Sequence, residues 1–236
     1  MTKGPRGATT THPSIHHGGL SPWHRLGLRW NPFGEPPPED LASLVLVSSG
    51  EAADDWLRQP GRTQQYLGDA GRGKTARLRR LAALFPQAPY LYLAEDRPPP
   101  PLPDPAAATG PVALLLDEAQ RLAPRRRRQL FARVARHRRS LVLASHADLS
   151  DEIAAAGLEC RTTVIAGLTA AQLSAILERR MAWARLTDDA APARQAPAGA
   201  ARLISEFGDD VRAILDHLYE VYQDLALNGS RPHGEM

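Results

Sequence analysis

The chain of 236 residues contains a single cysteine, Cys160. No intrachain disulfide can form, which excludes the disulfide-stapled secreted scaffolds and favours a reducing compartment. Long apolar runs are missing as well. The longest aliphatic stretches, such as VALLL at 112–116, are far too short to cross a bilayer. The opening MTKGPRGATTTHPSIHHGG lacks the apolar segment of a signal peptide. These absences predict a soluble, cytoplasmic protein with no membrane partner. Lysine is scarce too: Lys3 and Lys74 are the only two, against 27 arginines. Lys3 falls in an aperiodic tail, so Lys74 is the one lysine expected in folded structure, at a place where a compact ammonium serves better than a planar fork. The net charge of +3 does not by itself call for a polyanionic partner.

The pattern along the chain predicts an α/β fold. Residues 1–22, rich in Gly, Thr, Pro and His, read as a disordered tail, and His16-His17 within it carries no metal reading. A lead-in follows, with a WNPF turn at 30–33 and a short helix over 50–57. QQYL (64–67), PYLYLA (89–94), VALLL (112–116), LVLA (141–144) and TTVIAG (162–167) read as strands. Helices are expected over 75–85 and from the end of the third strand to about 137, whereas the proline-rich stretch 97–111 cannot be helical. Strands alternating with helices indicate a parallel sheet. Beyond 168 the reading is wholly helical, opening on a capping box with Thr169 and Gln172. The expected organisation is therefore an α/β domain over 23–167, a helical domain over 168–227 and a short tail over 228–236.

Residues 68–75, GDAGRGKT, meet the spacing GxxxxGK[ST] through Gly68, Gly73, Lys74 and Thr75. Glycines let main-chain N–H groups of Gly68, Asp69, Ala70, Gly71, Arg72 and Gly73 curl around phosphate oxygens. The following helix turns its positive end on the same anion. Lys74 would reach the β- and γ-phosphates, and the Thr75 hydroxyl would ligate Mg²⁺. A Gly-rich turn without ligand is the bland alternative, disfavoured by the strand before it and the amphipathic helix after it. VALLLDEAQ then places Asp117 and Glu118 at the carboxyl end of an apolar strand, where ligands of such sheets bind. Asp117 can hold the magnesium ion through a water. Glu118 can orient and polarise the attacking water of an NTP hydrolysis. An ordinary acidic helix start is the alternative for this pair.

GDAGRGKT, the apolar strand ending in DEAQ, a strand ending in Ser145 and a helical tail carrying GDDVR together resemble the AAA+ ATPases over roughly residues 30–227. The likeness is greatest to the small bacterial DEAQ-type ATPases of transposition and secretion and to origin-recognition relatives. The resemblance implies a P-loop core of the ASCE type with a helical lid, and binding and hydrolysis of ATP with Mg²⁺. It implies a sensor role for Ser145, a lid-to-phosphate contact for Arg212, packing of WNPF near the base, and assembly into homo-oligomers or with a partner protein. Arg161, just before the last expected strand, is the nearest candidate for a finger completing a neighbour's site. The proline-rich 97–111 departs from the family pattern by replacing an expected helix.

Residues 121–139 hold nine arginines and no acid, in a chain of net charge +3, so the remainder is net negative. Leu130, Phe131 and Val134 form an apolar stripe that can dock on the sheet. Arg125, Arg126, Arg127, Arg128, Arg133 and Arg136 are then expected to fan outward, as a face for nucleic acid, for an acidic subunit surface, or for solvent alone. The leading reading is an ATP-hydrolysing switch or motor. A nucleotide-binding scaffold with negligible turnover and a P-loop kinase are its rivals.

Overall fold

The computed structural model describes residues 21–47, 53–186 and 199–229; the expected tail and the Ala/Pro-rich segment before 199 fall largely outside these. Strands β1 (Arg62–Leu67), β2 (Tyr90–Tyr92), β3 (Val112–Asp117), β4 (Ser140–Ser145) and β5 (Glu159–Val164) form one sheet in the order β2-β3-β4-β1-β5. Every pairing is parallel. Because each connection must cross over, the carboxyl ends of all strands share one edge.

β3 and β4 are buried along their whole length, and their side chains alternate between two cores. Leu114, Leu116, Leu141 and Leu143 face α4 (Pro124–Arg136) and α5 (Ser150–Ala155). Leu115, Val142 and Ala144 face α2 (Asp54–Arg58) and α3 (Lys74–Leu84). A sheet covered on both faces explains the uninterrupted apolar runs. β1 is central yet carries Gln64 and Gln65, both buried. Their amide nitrogens are satisfied across the sheet, although Gln64 Oε1 has no partner among the described residues: Gln64 Nε2 donates to Thr163 Oγ1 at 2.9 Å, and Gln65 Nε2 to Thr162 Oγ1 at 2.9 Å and Asp148 Oδ1 at 2.8 Å. Buried amides left unpaired would each cost about 1–3 kcal/mol, so these bonds fix the register of β1 on β5.

A third core joins α6 (Ala170–Ala184), α7 (Ala200–Phe207) and α8 (Val211–Asn228). The Thr169–Gln172 capping box opens α6 as the sequence predicts. Leu28 and Phe33 of the lead-in pack into this helical core, and Asn31 Nδ2 donates to Tyr219 O at 2.9 Å. WNPF is thus anchored to α8, while the 44–47 segment after α1 (Pro38–Leu44) borders the main cleft.

Three local expectations differ. α5 lies in the short segment before the last strand, to which the sequence assigns no element; its six residues are too few to show a helical period. β5 begins at Glu159 rather than 162, because ECRTT is a polar edge strand. Arg161 is therefore inside β5, with its guanidinium 4.3 Å from the Trp56 ring centroid. Finally, a one-turn 3₁₀ helix at Ala119–Arg121 separates β3 from α4, which starts at Pro124. Among the described residues, no helix is long and apolar enough to cross a membrane.

Candidate functional site

The loop 68–73 leaves the carboxyl end of β1 and ends where α3 begins. Gly71 and Gly73 take φ of +75° and +84°, which L side chains rarely adopt. A Cβ on Gly71 would also run into the Asp210 carboxylate, so glycine is required there twice over. Arg72 pairs with Asp69 at 3.1 Å and with Asp209 at 2.9 Å, tying the loop to the turn before α8. Asp210 caps α8 by accepting from the N–H of Arg212 and Ala213.

Lys74 is buried, and its Nζ donates to the carbonyls of Gly68 and Asp69, both at 2.7 Å. It also lies 3.4 Å from His146 Nε2. Burial lowers the Lys74 pKa, while Glu118, Asp117 and Asp69 nearby pull in the opposite direction. The ammonium thus meets main-chain oxygens and has acids close by, but among the described residues no carboxylate closes on it as an ion pair. Such a group suits an incoming polyanion.

β3 lies one strand from β1, and its end brings the acids to the same edge. Asp117 is fully buried; Tyr90 Oη donates to its Oδ2 at 2.7 Å and the Glu118 N–H to its Oδ1 at 3.0 Å. Burial and this neighbouring carboxylate push the Tyr90 pKa up strongly, keeping the phenol a donor. Glu118 takes a left-handed backbone, φ 60°, a strained choice for a non-glycine residue that turns its carboxylate back toward the sheet edge. That carboxylate receives Gln120 Nε2 at 2.6 Å and lies 3.3 Å from His146 Nε2. Lys74, Asp117, Glu118 and His146 therefore converge. Ser145, at the end of β4, is fully buried, and its Oγ accepts from the Ala147 N–H at 3.0 Å.

A cleft of about 410 Å³ opens beside the loop, lined by Arg72, Gly73, Ala76, Ile165, Ile176 and Arg180 among others. Arg180 is buried, donates to the carbonyls of Pro32 and Gly34, and has its pKa lowered by burial to about 10. Arg212 stands exposed in the first turn of α8 and does not line this cleft. Among the described residues there is no cluster of three or more His, Cys, Asp or Glu fit to hold a metal by itself.

No protein-family model matches the chain, and no curated protein matches it. Among solved structures, it is similar to domain III of the replication initiation protein DnaA from Thermotoga maritima. The match covers 84% of this chain and 93% of that one, at 15% identity and a TM-score of 0.55. What the two share is the fold, a five-stranded all-parallel sheet covered by helices. At this identity the likeness is one of fold alone, and any chemistry must be argued from this chain's own side chains.

One expectation about the arginine run is overturned. Arg125, Arg128, Arg133 and Arg136 are exposed and Arg126 is half-buried, but Arg127 points inward. Its guanidinium pairs with Glu152 of α5 at 2.6 Å and donates to the carbonyls of Gln120 and Leu122. It shares the stripe of Leu130, Phe131 and Val134 at helical spacing, the signal that places it inside. Replacing Arg127 by Met is expected to lower the unfolding free energy by about 1–3 kcal/mol at neutral pH, because Glu152 loses its partner. Urea midpoints will measure this. Arg127 holds the Glu152 carboxyl below its ordinary range. The pair's contribution is fully present above the ordinary glutamate pKa and is lost as pH falls through the depressed value, so the variant's deficit shrinks in acid.

The residues that sequence reading passed over are Tyr90, Gln120 and the Asp209–Asp210 pair. Gln120 stood in plain view within DEAQ; the others required knowing which elements meet.

Proposed function

We propose that the protein binds ATP at residues 68–75 and hydrolyses it, with Glu118 as the group that orients and deprotonates the attacking water. The observation that carries this reading is the convergence of Lys74, Asp117, Glu118 and His146 at the carboxyl edge of the sheet, beside a loop held in conformations suited to glycine. The main-chain amides of 68–73 and the α3 N-terminus receive the phosphates. Lys74 is the cation on the β- and γ-phosphates. Thr75 and Asp117 would hold a magnesium ion, which when bound neutralises charge on the transferring phosphoryl group.

Ser145 and Arg212 are proposed as groups that sense the γ-phosphate. Arg212 is exposed, so that role requires α8 to turn toward the loop. Arg161 stacks on Trp56, and a role for it in a neighbouring subunit's site would require that stack to open. Helices α6–α8 act as a lid, and the nucleotide sets their angle to the sheet and hence the affinity for a partner protein or a second copy.

A phosphate-release assay with a parallel nucleotide titration tests the reading. ATP binding with no release would favour a scaffold that reads occupancy instead.

Nucleic acid is proposed as a partner through Arg125, Arg126, Arg128, Arg133 and Arg136, supported by the exposure of four of them on α4. Changing Arg125, Arg128 and Arg136 together to Gln is expected to weaken retention on duplex DNA and to reduce the slope of log affinity against log salt by about 3. An unaltered slope in a salt-series binding assay would remove this face from the reading.

A further inference from the structure

We propose that Gln120 is a positioning residue for Glu118, locking the carboxylate to the end of β4. This rests on the role of Glu118 given above. The side-chain amide uses both of its ends. Nε2 donates to Glu118 Oε2 at 2.6 Å, and Oε1 accepts from the His146 main-chain N–H at 3.2 Å. A primary amide supplies a donor and an acceptor side by side; a carboxylate has no donor and a hydrocarbon has neither. The two bonds also fix which way the amide faces, since exchange of its O and N would break both.

The anchoring extends behind Gln120. The 3₁₀ turn at Ala119–Arg121 folds the side chain back over Glu118, two residues earlier. Arg127 donates to the Gln120 carbonyl at 3.2 Å and to the Leu122 carbonyl at 2.8 Å, while pairing with Glu152. Ala119 beneath the turn is fully buried. The main chain of Gln120 is thus held from α4 and α5, and its amide from β4. Glu118 is the member of this group whose backbone is strained, with φ 60°. A carboxylate on a strained backbone needs an external bond to keep one orientation, and the short amide contact supplies it.

The chemical consequence is directional. With Oε2 engaged by Gln120, Oε1 is the oxygen beside His146 Nε2, itself 3.4 Å from Lys74 Nζ, and it is the one we assign to the water. Removing the amide leaves Glu118 in place without its shortest contact, held by the longer ones to Arg121 at 3.5 Å and His146 at 3.3 Å, so the loss falls on the chemical step rather than on binding.

The test compares Gln120→Met and Gln120→Glu in the full-length protein. Methionine keeps the length and removes both polar ends; glutamate keeps the acceptor for His146 and sets a second negative charge on Glu118. Expected for both is kcat reduced about 10- to 100-fold with KM and ATP affinity within about twofold, the glutamate variant being the slower. In a Glu118→Gln background, Gln120→Met should cause no further decline, because the group it aims is already gone. Glu118→Gln inactive but Gln120→Met at the parental kcat overturns the positioning role alone. An equal further loss in the Glu118→Gln background also overturns it. If Gln120→Met fails to fold, the glutamate variant decides by the same criteria. A Glu118→Gln protein that releases phosphate normally removes the catalytic reading on which the inference rests.

Discussion

Glu118→Gln is expected to bind ATP within a few-fold of the parent protein while turnover falls about 10²- to 10⁴-fold. The substitution keeps the size of the side chain and removes only its capacity to take a proton. Binding survives because the groups proposed to meet the triphosphate are the loop amides and Lys74. Taking one negative charge away from that neighbourhood, if it acts at all, eases the entry of an anion. Turnover falls because Glu118 is the acid proposed to take the proton, whereas Asp117, fully buried and held by Tyr90 and the Glu118 N–H, is the one proposed to steady the magnesium ion. Single-turnover phosphate release beside an equilibrium titration separates the two quantities. Release at the parental rate would strip Glu118 of its role.

The second large effect is on affinity. Lys74→Ala is expected to weaken ATP binding by about 100-fold or more, since losing one partner of a buried, hydrogen-bonded charge pair costs about 2–5 kcal/mol. The same change should alter the stability of the nucleotide-free protein by no more than about 1 kcal/mol. The reason lies in opposing terms: burial disfavours the ammonium, as its lowered pKa records, while the Gly68 and Asp69 carbonyls and the nearby acids compensate. Water reaches the half-buried Gly68 and exposed Asp69 carbonyls once the lysine is gone. Affinity collapsing while the thermal midpoint holds is the expected signature. Unchanged affinity would detach the loop from the triphosphate altogether.

Much of the sheet was legible beforehand because fully buried parallel strands have no polar face to dilute the pattern. VALLL and LVLA are read correctly for that reason. β1 was harder, since Gln64 and Gln65 look like surface residues until β5 supplies Thr162 and Thr163 opposite them. The glycines of the loop 68–75 could be picked out because positive φ at Gly71 and Gly73 imposes a residue type on main-chain geometry, which survives in one dimension. The acids of DEAQ were visible for the same kind of reason, but the partners that aim them were not. Tyr90 meets Asp117 only through strand pairing, and His146 meets Glu118 only because β4 lies beside β3. Arg127 differs from its neighbours by phase: the run of four arginines hides one residue that belongs to the apolar stripe.

Arg72 sits in the loop yet gives one of its N–H groups to Asp209, in the turn leading to the last helix. Asp210 beside it rests against Gly71. On the proposed reading, an anion among the loop amides would arrive at a seat already shared with two carboxylates and would compete with Asp209 for the same guanidinium. Filling the seat and slackening this clasp would then be one event, felt at the last helix through a tug on a single side chain.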